Sequence, residues 1–88
     1  MHYVYLLLLN DKSIYTGRTN DLKCRFAEHE KGKVTSTKNK QPLKLIYYEA
    51  YIYKKDAVDR ELYLKTGDGR REIRKQLKYL LSKELKYQ

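Results

Sequence analysis

The sequence predicts an α+β fold, a three-stranded antiparallel sheet flanked by helices in the order β-β-α-β-α-α. Three observations predict it: an early stretch that is apolar on both alternating faces, a turn-like segment that follows it, and helical spacing of apolar residues in the last third. A chain of 88 residues is long enough for one hydrophobic core and too short for two. We therefore expect residues 1–88 to form a single domain.

The first strand is predicted over Tyr3 to Leu9, and because both of its faces are apolar or aromatic we place it in the centre of the sheet. Asn10 to Ser13 has the composition of a turn. Ile14 to Thr16 then continues as the second strand of a hairpin, which Gly17 ends or kinks. The third strand is expected over Leu43 to Ile52.

Three helices and one loop complete the predicted order. They are a first helix over Asp21 to His29, a polar and basic loop from Lys33 to Pro42, a second helix from about Lys54 to Thr66, and a third from about Arg70 to Lys86. Asn20 or Thr19 caps the first helix and Gly32 ends it. Gly67 and Gly69 separate the second helix from the third.

Charge and composition narrow the class of protein. The 20 Lys and Arg residues outnumber the 11 Asp and Glu residues, which gives a net charge of +9 and favours a nucleic acid or an anionic membrane surface as partner. Cys24 is the single cysteine, which excludes a disulfide framework and a Cys-rich zinc site. The longest apolar run is far shorter than the ~20 residues of a spanning helix, and no signal-peptide pattern precedes it. We expect a soluble cytoplasmic protein.

The first predicted helix carries two functional candidates, Arg25 and His29, on the same side as Leu22 and Phe26. A guanidinium at the border of a core is costly unless an anion meets it, so the position favours phosphate binding. The structural alternatives are an Arg25 side chain that extends to water and a His29 that supports packing or the helix dipole.

Glu61 has an unusual position on the second predicted helix, because it falls inside the arc of that helix's apolar residues. Such a carboxylate is either paired or binds a cation. Lys65, one turn later, can form a helical ion pair with it, whereas a lone carboxylate also suits a hard ion such as Mg²⁺ that keeps most of its waters.

Tyr5 and Tyr15 are expected side by side on neighbouring strands of the hairpin. Cross-strand aromatic packing is the structural explanation. The alternative is a catalytic phenol. Because a phenol titrates near ~10 in water, that role needs cations such as Arg18 and Arg25, or a metal-bound water, close to the hydroxyl.

Two basic clusters offer contacts to phosphate. The first lies in the predicted loop, where Lys33, Lys38 and Lys40 supply charge and Thr37 supplies a hydroxyl. The second lies in the third predicted helix, between Arg70 and Lys78, and a solvated helix face explains it equally well. Neither cluster indicates sequence-specific recognition.

Several segments together resemble the GIY-YIG nuclease family. They are Tyr3-Val4-Tyr5, Tyr15-Thr16-Gly17, the segment from Arg18 through Arg25 and His29, Pro42 to Glu49, and Arg60-Glu61 with Leu64-Lys65. The likeness spans nearly the whole chain and looks closest to the small stand-alone bacterial members, which are similar to the amino-terminal nuclease domain of UvrC.

The resemblance implies a phosphodiesterase that uses a divalent cation, Mg²⁺ or Mn²⁺, and acts on DNA. The implied catalytic residues are Tyr5, Tyr15, Arg25, His29 and Glu61. By matching position, one of the two tyrosines orients or deprotonates water, and Arg25 holds the scissile phosphate. Glu61 is the implied metal ligand, and His29 lies near the phosphate.

Further contacts to DNA are expected from Arg18, where many members carry a basic residue, and from the loop residues Lys33, Thr37, Lys38 and Lys40. The two hypotheses for function are a DNA endonuclease, with structured or damaged DNA as substrate and repair as its setting, and a non-catalytic basic module that binds nucleic acid. Neither hypothesis includes a small-molecule cofactor or a membrane. The sequence does not indicate an oligomeric state.

The chain departs from the family pattern at Tyr3, where glycine is usual, and at Val4 and Thr16, where isoleucine is usual. The asparagine that many members carry after the glutamate has no match. Only Gln76 and Gln88 follow that glutamate with amide side chains.

Overall fold

The computed structural model describes residues 1–85, and within that range the chain forms three strands and four helices. In chain order these are β1 (His2–Leu8), β2 (Ile14–Thr19), α1 (Leu22–Glu30), β3 (Lys44–Tyr51), α2 (Lys54–Leu64), α3 (Gly67–Gln76) and α4 (Lys78–Glu84). The α+β class and the three-stranded antiparallel sheet are confirmed. The order is β-β-α-β-α-α-α, because the third predicted helix is two helices.

The sheet has the strand order β2-β1-β3, so the predicted central position of the first strand is confirmed. On one face, Val4 and Leu6 of β1 pack against Ala57, Leu64 and Ile73. These three residues come from α2 and α3, which therefore cover this face of the sheet. Each large apolar side chain that is fully buried in this way contributes about 1.5–3 kcal/mol.

The opposite face is covered by α1. Tyr5 and Leu7 of β1 pack there against Leu22 and Phe26. At the end of β1, Leu8 packs against Leu81 of α4. Both faces of β1 are thus buried, as its two-sided apolar pattern predicted.

Gly17 differs from its prediction, because it lies inside β2 instead of ending that strand. It pairs with Tyr5 of β1, and an added Cβ at Gly17 would lie 2.4 Å from both Cζ and Oη of Tyr5. Glycine is required here by the close approach of the Tyr5 ring. The missing side chain gives the tyrosine room to extend over the edge strand.

The start of α1 also differs from its prediction. The N-cap is Asp21, whose Oδ1 accepts a hydrogen bond from the Cys24 N–H at 3.0 Å, and not Asn20 or Thr19. The Thr19 hydroxyl instead accepts from the Asp21 N–H at 3.1 Å, so it fixes the turn before the helix. Gly32 ends the helix as predicted, with a left-handed φ of 73°.

The third predicted helix starts earlier than expected. α3 begins at Gly67 instead of Arg70, and the Thr66 hydroxyl caps it by accepting from the Gly69 N–H at 3.0 Å. A Cβ at Gly69 would lie 1.9 Å from the carbonyl oxygen of Tyr63. The glycine therefore allows α3 to cross close to the end of α2, and it lies within a helix instead of separating two helices.

The predicted helix is also interrupted once. Leu77 has a non-helical backbone, with φ −103° and ψ 27°, and separates α3 from α4. The predicted end at Lys86 lies outside the described residues. Within residues 1–85 there is no helix whose length and apolarity would let it span a membrane.

Candidate active site

The centre of the candidate site is a buried chain of three polar side chains. Tyr5 extends from β1, His29 from the last turn of α1, and Thr37 from the loop that follows α1. The Tyr5 hydroxyl lies 2.8 Å from His29 Nε2, and His29 Nδ1 lies 2.8 Å from the Thr37 hydroxyl. The exposed fraction is 1% for Tyr5 and 0% for both His29 and Thr37.

Tyr15 packs against this chain. Its ring centroid lies 6.3 Å from that of Tyr5 and 5.3 Å from that of His29. The predicted proximity of the two tyrosines is therefore present in the structure. The register explains it, because Tyr15 pairs with Leu7 and the side chains of Tyr5 and Leu7 lie on the same face of β1.

Arg25 precedes His29 by one turn of α1, and its guanidinium lies beside the Tyr5 hydroxyl. This proximity, together with an ion pair to Glu28 at 3.0 Å, raises the pKa of Arg25. The Arg25 side chain is 37% exposed, whereas the Tyr5 side chain beside it is 1% exposed. The expectation that Arg25 borders the core next to His29 agrees with the structure.

Burial sets the protonation of the two central groups. It raises the pKa of the Tyr5 phenol, and the nearby Arg25 guanidinium opposes that rise. Burial also lowers the pKa of His29, and the positive charge of Arg25 lowers it further. At neutral pH the site therefore contains a neutral phenol and a neutral imidazole.

A cleft opens next to Arg25. Its volume is about 430 Å³, and its charged lining residues are Arg18, Arg25, Lys54, Asp21 and Glu28. We refer to it as the basic cleft. Three cationic side chains around one opening are suited to phosphate oxygens, since guanidinium and ammonium groups form charge-assisted hydrogen bonds with them.

Glu61 lies on α2, and its carboxylate is 17% exposed. Arg18 Nε lies 3.3 Å from one carboxylate oxygen and Lys65 Nζ lies 3.1 Å from the other. The helical ion pair with Lys65, which was the structural alternative, is thus present. The negative charge of Glu61 is the smallest of the causes that raise the pKa of Tyr5.

Arg18 connects these two sets of residues. It pairs with Val4 in the register of the sheet, it contacts Glu61, and it lines the basic cleft together with Arg25. β2 is one of the two edge strands. The site therefore extends around that edge, where Gly17 leaves space.

A divalent ion at this site would be held by Glu61. Within residues 1–85, no group of three or more His, Cys, Asp or Glu side chains is arranged to hold a metal. One carboxylate plus water and phosphate oxygens is nevertheless a donor set that Mg²⁺ accepts. The residues fit such an ion, because Lys65 is half-exposed and a surface ion pair of this kind is worth only about 0–1 kcal/mol.

The loop residues divide into three groups. Lys33 and Lys38 are exposed, as a phosphate contact requires. Lys40 is ion-paired with Asp11 at 2.5 Å. Thr37 does not match its prediction as a nucleic-acid contact, because it is fully buried and its hydroxyl is bound to His29.

Three parts of the site were missed by the sequence analysis: the space at Gly17, the contact of Thr37 with His29, and the presence of Lys54 in the basic cleft. The Tyr-x-Gly spacing was a signal for the first. For Thr37 and Lys54 no local pattern gives a signal. Gln76, a possible substitute for the missing asparagine, donates instead to the Tyr47 hydroxyl at 3.0 Å, and Gln88 lies outside the described residues.

With this geometry established, the family is decided by one comparison: residues 1–75 match the GIY-YIG catalytic domain. The chain belongs to the GIY-YIG family. The resemblance of the motif segments is thereby confirmed, and the domain is of a nuclease family whose members act on DNA.

Relatives of this GIY-YIG chain are small proteins of similar length. It is 36% identical over 74 residues to the UPF0213 protein SERP0126 of Staphylococcus epidermidis, covering 83% of this chain and 90% of the relative. It is 42% identical over 66 residues to the UPF0213 protein CPE1444 of Clostridium perfringens, covering 74% and 71%. It is also similar to the solution NMR structure of the UPF0213 protein BH0048 of Bacillus halodurans, with a TM-score of 0.54, 32% identity, and coverage of 82% and 80%.

Proposed function

We propose that this chain is a DNA endonuclease that hydrolyses a phosphodiester bond with the help of a divalent cation, Mg²⁺ or Mn²⁺. The observation that carries the proposal is the position of the buried Tyr5 hydroxyl, which lies 2.8 Å from His29 Nε2 and beside Arg25, a residue that lines the basic cleft. We also propose that residues 1–88 act as one domain.

In this proposal the basic cleft binds the scissile phosphate. Arg25 contacts the non-bridging oxygens, and Arg18 and Lys54 hold the neighbouring backbone. Preorganised cations of this kind stabilise the charge that develops on the phosphate in the transition state. The exposed loop residues Lys33 and Lys38 extend the contact along the DNA.

Tyr5 takes a proton from the attacking water as its own phenol proton passes to His29 Nε2, 2.8 Å away, and Tyr15 packs against both rings. Glu61 is the group that would hold the divalent ion. When bound, that ion would neutralise charge on the phosphate and make the water more acidic.

The proposed substrate class is argued from charge and from the kind of contact that the basic residues make. Contacts to phosphate carry no sequence information, and the predicted basic contacts are all of that kind. We propose that the protein recognises the shape of structured or damaged DNA, in the setting of repair in the cytoplasm of a bacterium.

The experiment is cleavage of supercoiled plasmid and of branched DNA in the presence of Mg²⁺ or Mn²⁺. Arg25→Ala is expected to lower the rate by about 10²- to 10³-fold, the usual loss when one preorganised charge is removed. Arg71→Ala is the matched control, because Arg71 also forms an ion pair with a carboxylate three residues away on a helix. The proposal fails if wild type does not cleave, or if both variants cleave equally.

A second function is favoured by one observation: both carboxylate oxygens of Glu61 contact cationic side chains. A chain in which these contacts persist would bind nucleic acid without cleaving it. Binding measured by fluorescence anisotropy separates the two functions. The non-catalytic module binds with steep salt dependence, retains its affinity in Glu61→Gln, and shows no cleavage in wild type.

A further inference from the structure

A second groove, with a volume of about 460 Å³, is lined by residues of β2, of α3 and of the end of α2. Its polar lining residues carry either a positive charge or a hydroxyl group, and they are Lys65, Arg70, Arg74, Ser13, Tyr15 and Thr16. We refer to it as the arginine groove. Unlike the basic cleft, it has no Asp or Glu among the described residues that line it.

Arg70 and Arg74 differ from the other arginines of the chain. Both are exposed, and within residues 1–85 neither forms an ion pair. Each of the other four contacts a carboxylate, and these are Arg18, Arg25, Arg60 and Arg71. The two arginines that have no carboxylate partner in the described part of the chain therefore line the same groove.

The spacing of these two arginines makes the arrangement unfavourable in the absence of an anion. Arg70 and Arg74 lie four residues apart on α3, and like charges at that spacing destabilise a helix. An anion that contacts both guanidinium groups removes this repulsion and forms charge-assisted hydrogen bonds with them. With Lys65 in the same lining, the groove offers three positive charges and several hydroxyl groups, which are the groups that contact phosphate in nucleic acids.

Two observations connect the arginine groove with the basic cleft. Thr16 lines the groove and Arg18 lines the cleft, and the two residues lie on the same face of β2 because side chains alternate along a strand. Glu61 contacts one residue of each, since one of its carboxylate oxygens contacts Arg18 and the other contacts Lys65. A phosphate backbone that occupied both would therefore pass Glu61.

We propose that the arginine groove binds a second stretch of the phosphodiester backbone of the DNA that occupies the basic cleft. This inference rests on the proposed function for the identity of its ligand, and it deepens that function by giving the path of the DNA past Glu61. Contacts of this kind add affinity without sequence preference. A free anion in the groove and a helix face that contacts only water are the alternatives that the experiment separates.

The test is the salt dependence of DNA binding, measured by fluorescence anisotropy of a labelled duplex without divalent ions, so that no cleavage takes place. Arg70→Ala/Arg74→Ala removes both guanidinium groups. Each cation that contacts a phosphate contributes about one to the slope of log K against the logarithm of the salt concentration, so we expect the slope to become shallower by about 2. The affinity of wild type should also continue to rise with duplex length beyond the length at which that of the variant stops rising.

Arg71→Ala/Lys75→Ala is the matched control. Arg71 and Lys75 are also exposed and also lie four residues apart on α3, but they do not line the groove. The control removes the same charge from the same helix, and we expect its slope to differ from wild type by less than about 0.5. Both double variants should fold, because all four side chains are exposed and alanine favours a helix; circular dichroism and urea unfolding check this.

A shallower slope in Arg70→Ala/Arg74→Ala alone supports the proposal. Equal slopes in that variant and wild type overturn it, and so do equal changes in the two double variants. If the variant loses the binding of inorganic phosphate in calorimetry but keeps the wild-type DNA slope, the groove holds a free anion and the proposal is also overturned. If the slope falls as expected but wild type does not cleave DNA, only the nuclease function is rejected, whereas cleavage by wild type with an unchanged slope in the variant rejects only the arginine groove.

Discussion

Two carboxylates in this protein form ion pairs with arginines, and their surroundings differ. Glu49 contacts Arg60 of α2, and Glu61, the next residue of α2, contacts Arg18. Glu49 of β3 is 14% exposed and accepts from Nε and Nη2 of Arg60, each at 3.0 Å. It also accepts from the hydroxyls of Tyr47 at 2.7 Å and Tyr51 at 2.5 Å. Glu61 is similarly buried but has only the two contacts from Arg18 and Lys65.

The difference separates a structural carboxylate from one that is able to bind an ion. A carboxylate has about four acceptor positions, and the Glu49 network fills them. Arg60 also contacts Glu72 of α3 at 3.3 Å, so the network joins β3, α2 and α3. Glu61 keeps acceptor capacity next to the basic cleft, which is what a metal ligand needs.

The largest effect is expected from replacing each carboxylate by its amide. Glu61→Gln should lower cleavage by roughly 10²- to 10³-fold, because it removes a preorganised charge from the site. Glu49→Gln should instead lower the free energy of unfolding by about 2–4 kcal/mol, because it leaves the Arg60 guanidinium without its buried partner. Cleavage rates and urea unfolding are measured for both variants.

The comparison requires that Glu61→Gln affects mainly cleavage and that Glu49→Gln affects mainly stability. Glu61→Gln should unfold within about 1 kcal/mol of wild type, since its ion pairs are partly exposed. Glu49→Gln, assayed where it is folded, should keep a cleavage rate near that of wild type. Loss of activity in Glu49→Gln at full folding would make its network part of the site.

The second prediction concerns Gly17. Gly17→Ala places a Cβ 2.4 Å from Cζ and Oη of Tyr5, so the ring must move away from His29. We expect destabilisation of about 1–3 kcal/mol, the usual cost of overpacking, together with loss of cleavage. Gly67→Ala is the control, because its Cβ would meet nothing closer than the Arg71 guanidinium at 3.7 Å. Equal effects of both substitutions would contradict the role of Gly17.

The elements of this fold were predictable because their signals are local. The two-sided apolar pattern of β1 predicted its central position, and amphipathic spacing predicted a helix over most of α3 and α4. Asp21 was missed as a cap, since three adjacent residues are all good caps and only the turn geometry chooses between them.

The site was predictable only in part, because its contacts join distant segments. Family motifs predict Tyr5, Arg25 and Glu61 as site residues. The contacts that define their surroundings depend on tertiary structure: Arg18 meets Glu61 across 43 positions of sequence, and Thr37 reaches His29 only through the course of an irregular loop. No periodicity or spacing encodes such pairs, so Thr37 was assigned to the surface by composition.

The third prediction is that Glu49 and His29 each contribute to the free energy of unfolding and that these contributions are lost at different pH. Burial would raise the pKa of Glu49, but Arg60 and two tyrosine hydroxyls lower it below its usual value. The contribution of Glu49 to stability is therefore complete above about pH 4.3, its pKa in the unfolded chain. It is lost as the pH falls through the lower pKa of Glu49 in the folded protein.

The pKa of His29 is lowered mainly by burial. The contribution of His29 to stability is therefore also lost as the pH falls, but at a higher pH than that of Glu49. It is complete above about pH 6.5, the unfolded value, and decreases below it because the unfolded chain takes up the proton first. The free energy of unfolding, measured with urea from about pH 8 down to about pH 3, should show a first loss from His29 and a second loss, at lower pH, from Glu49. Glu49→Gln should diminish only the later loss, and an unchanged later loss would contradict the assignment.

The smallest effect is expected at Lys65, whose ammonium contacts one carboxylate oxygen of Glu61, the residue that would hold a divalent ion. Lys65→Met removes this competitor, and because an exposed helical ion pair is worth at most about 1 kcal/mol, we expect Mn²⁺ to bind about two- to fivefold more tightly. Calorimetric titration of Mn²⁺ in the absence of DNA measures this directly. Lys55→Met is the matched control, since Lys55 forms the same type of ion pair with Asp59 on the same helix. Tighter binding in both variants would indicate a general charge effect, whereas tighter binding in Lys65→Met alone would identify Glu61 as the ligand.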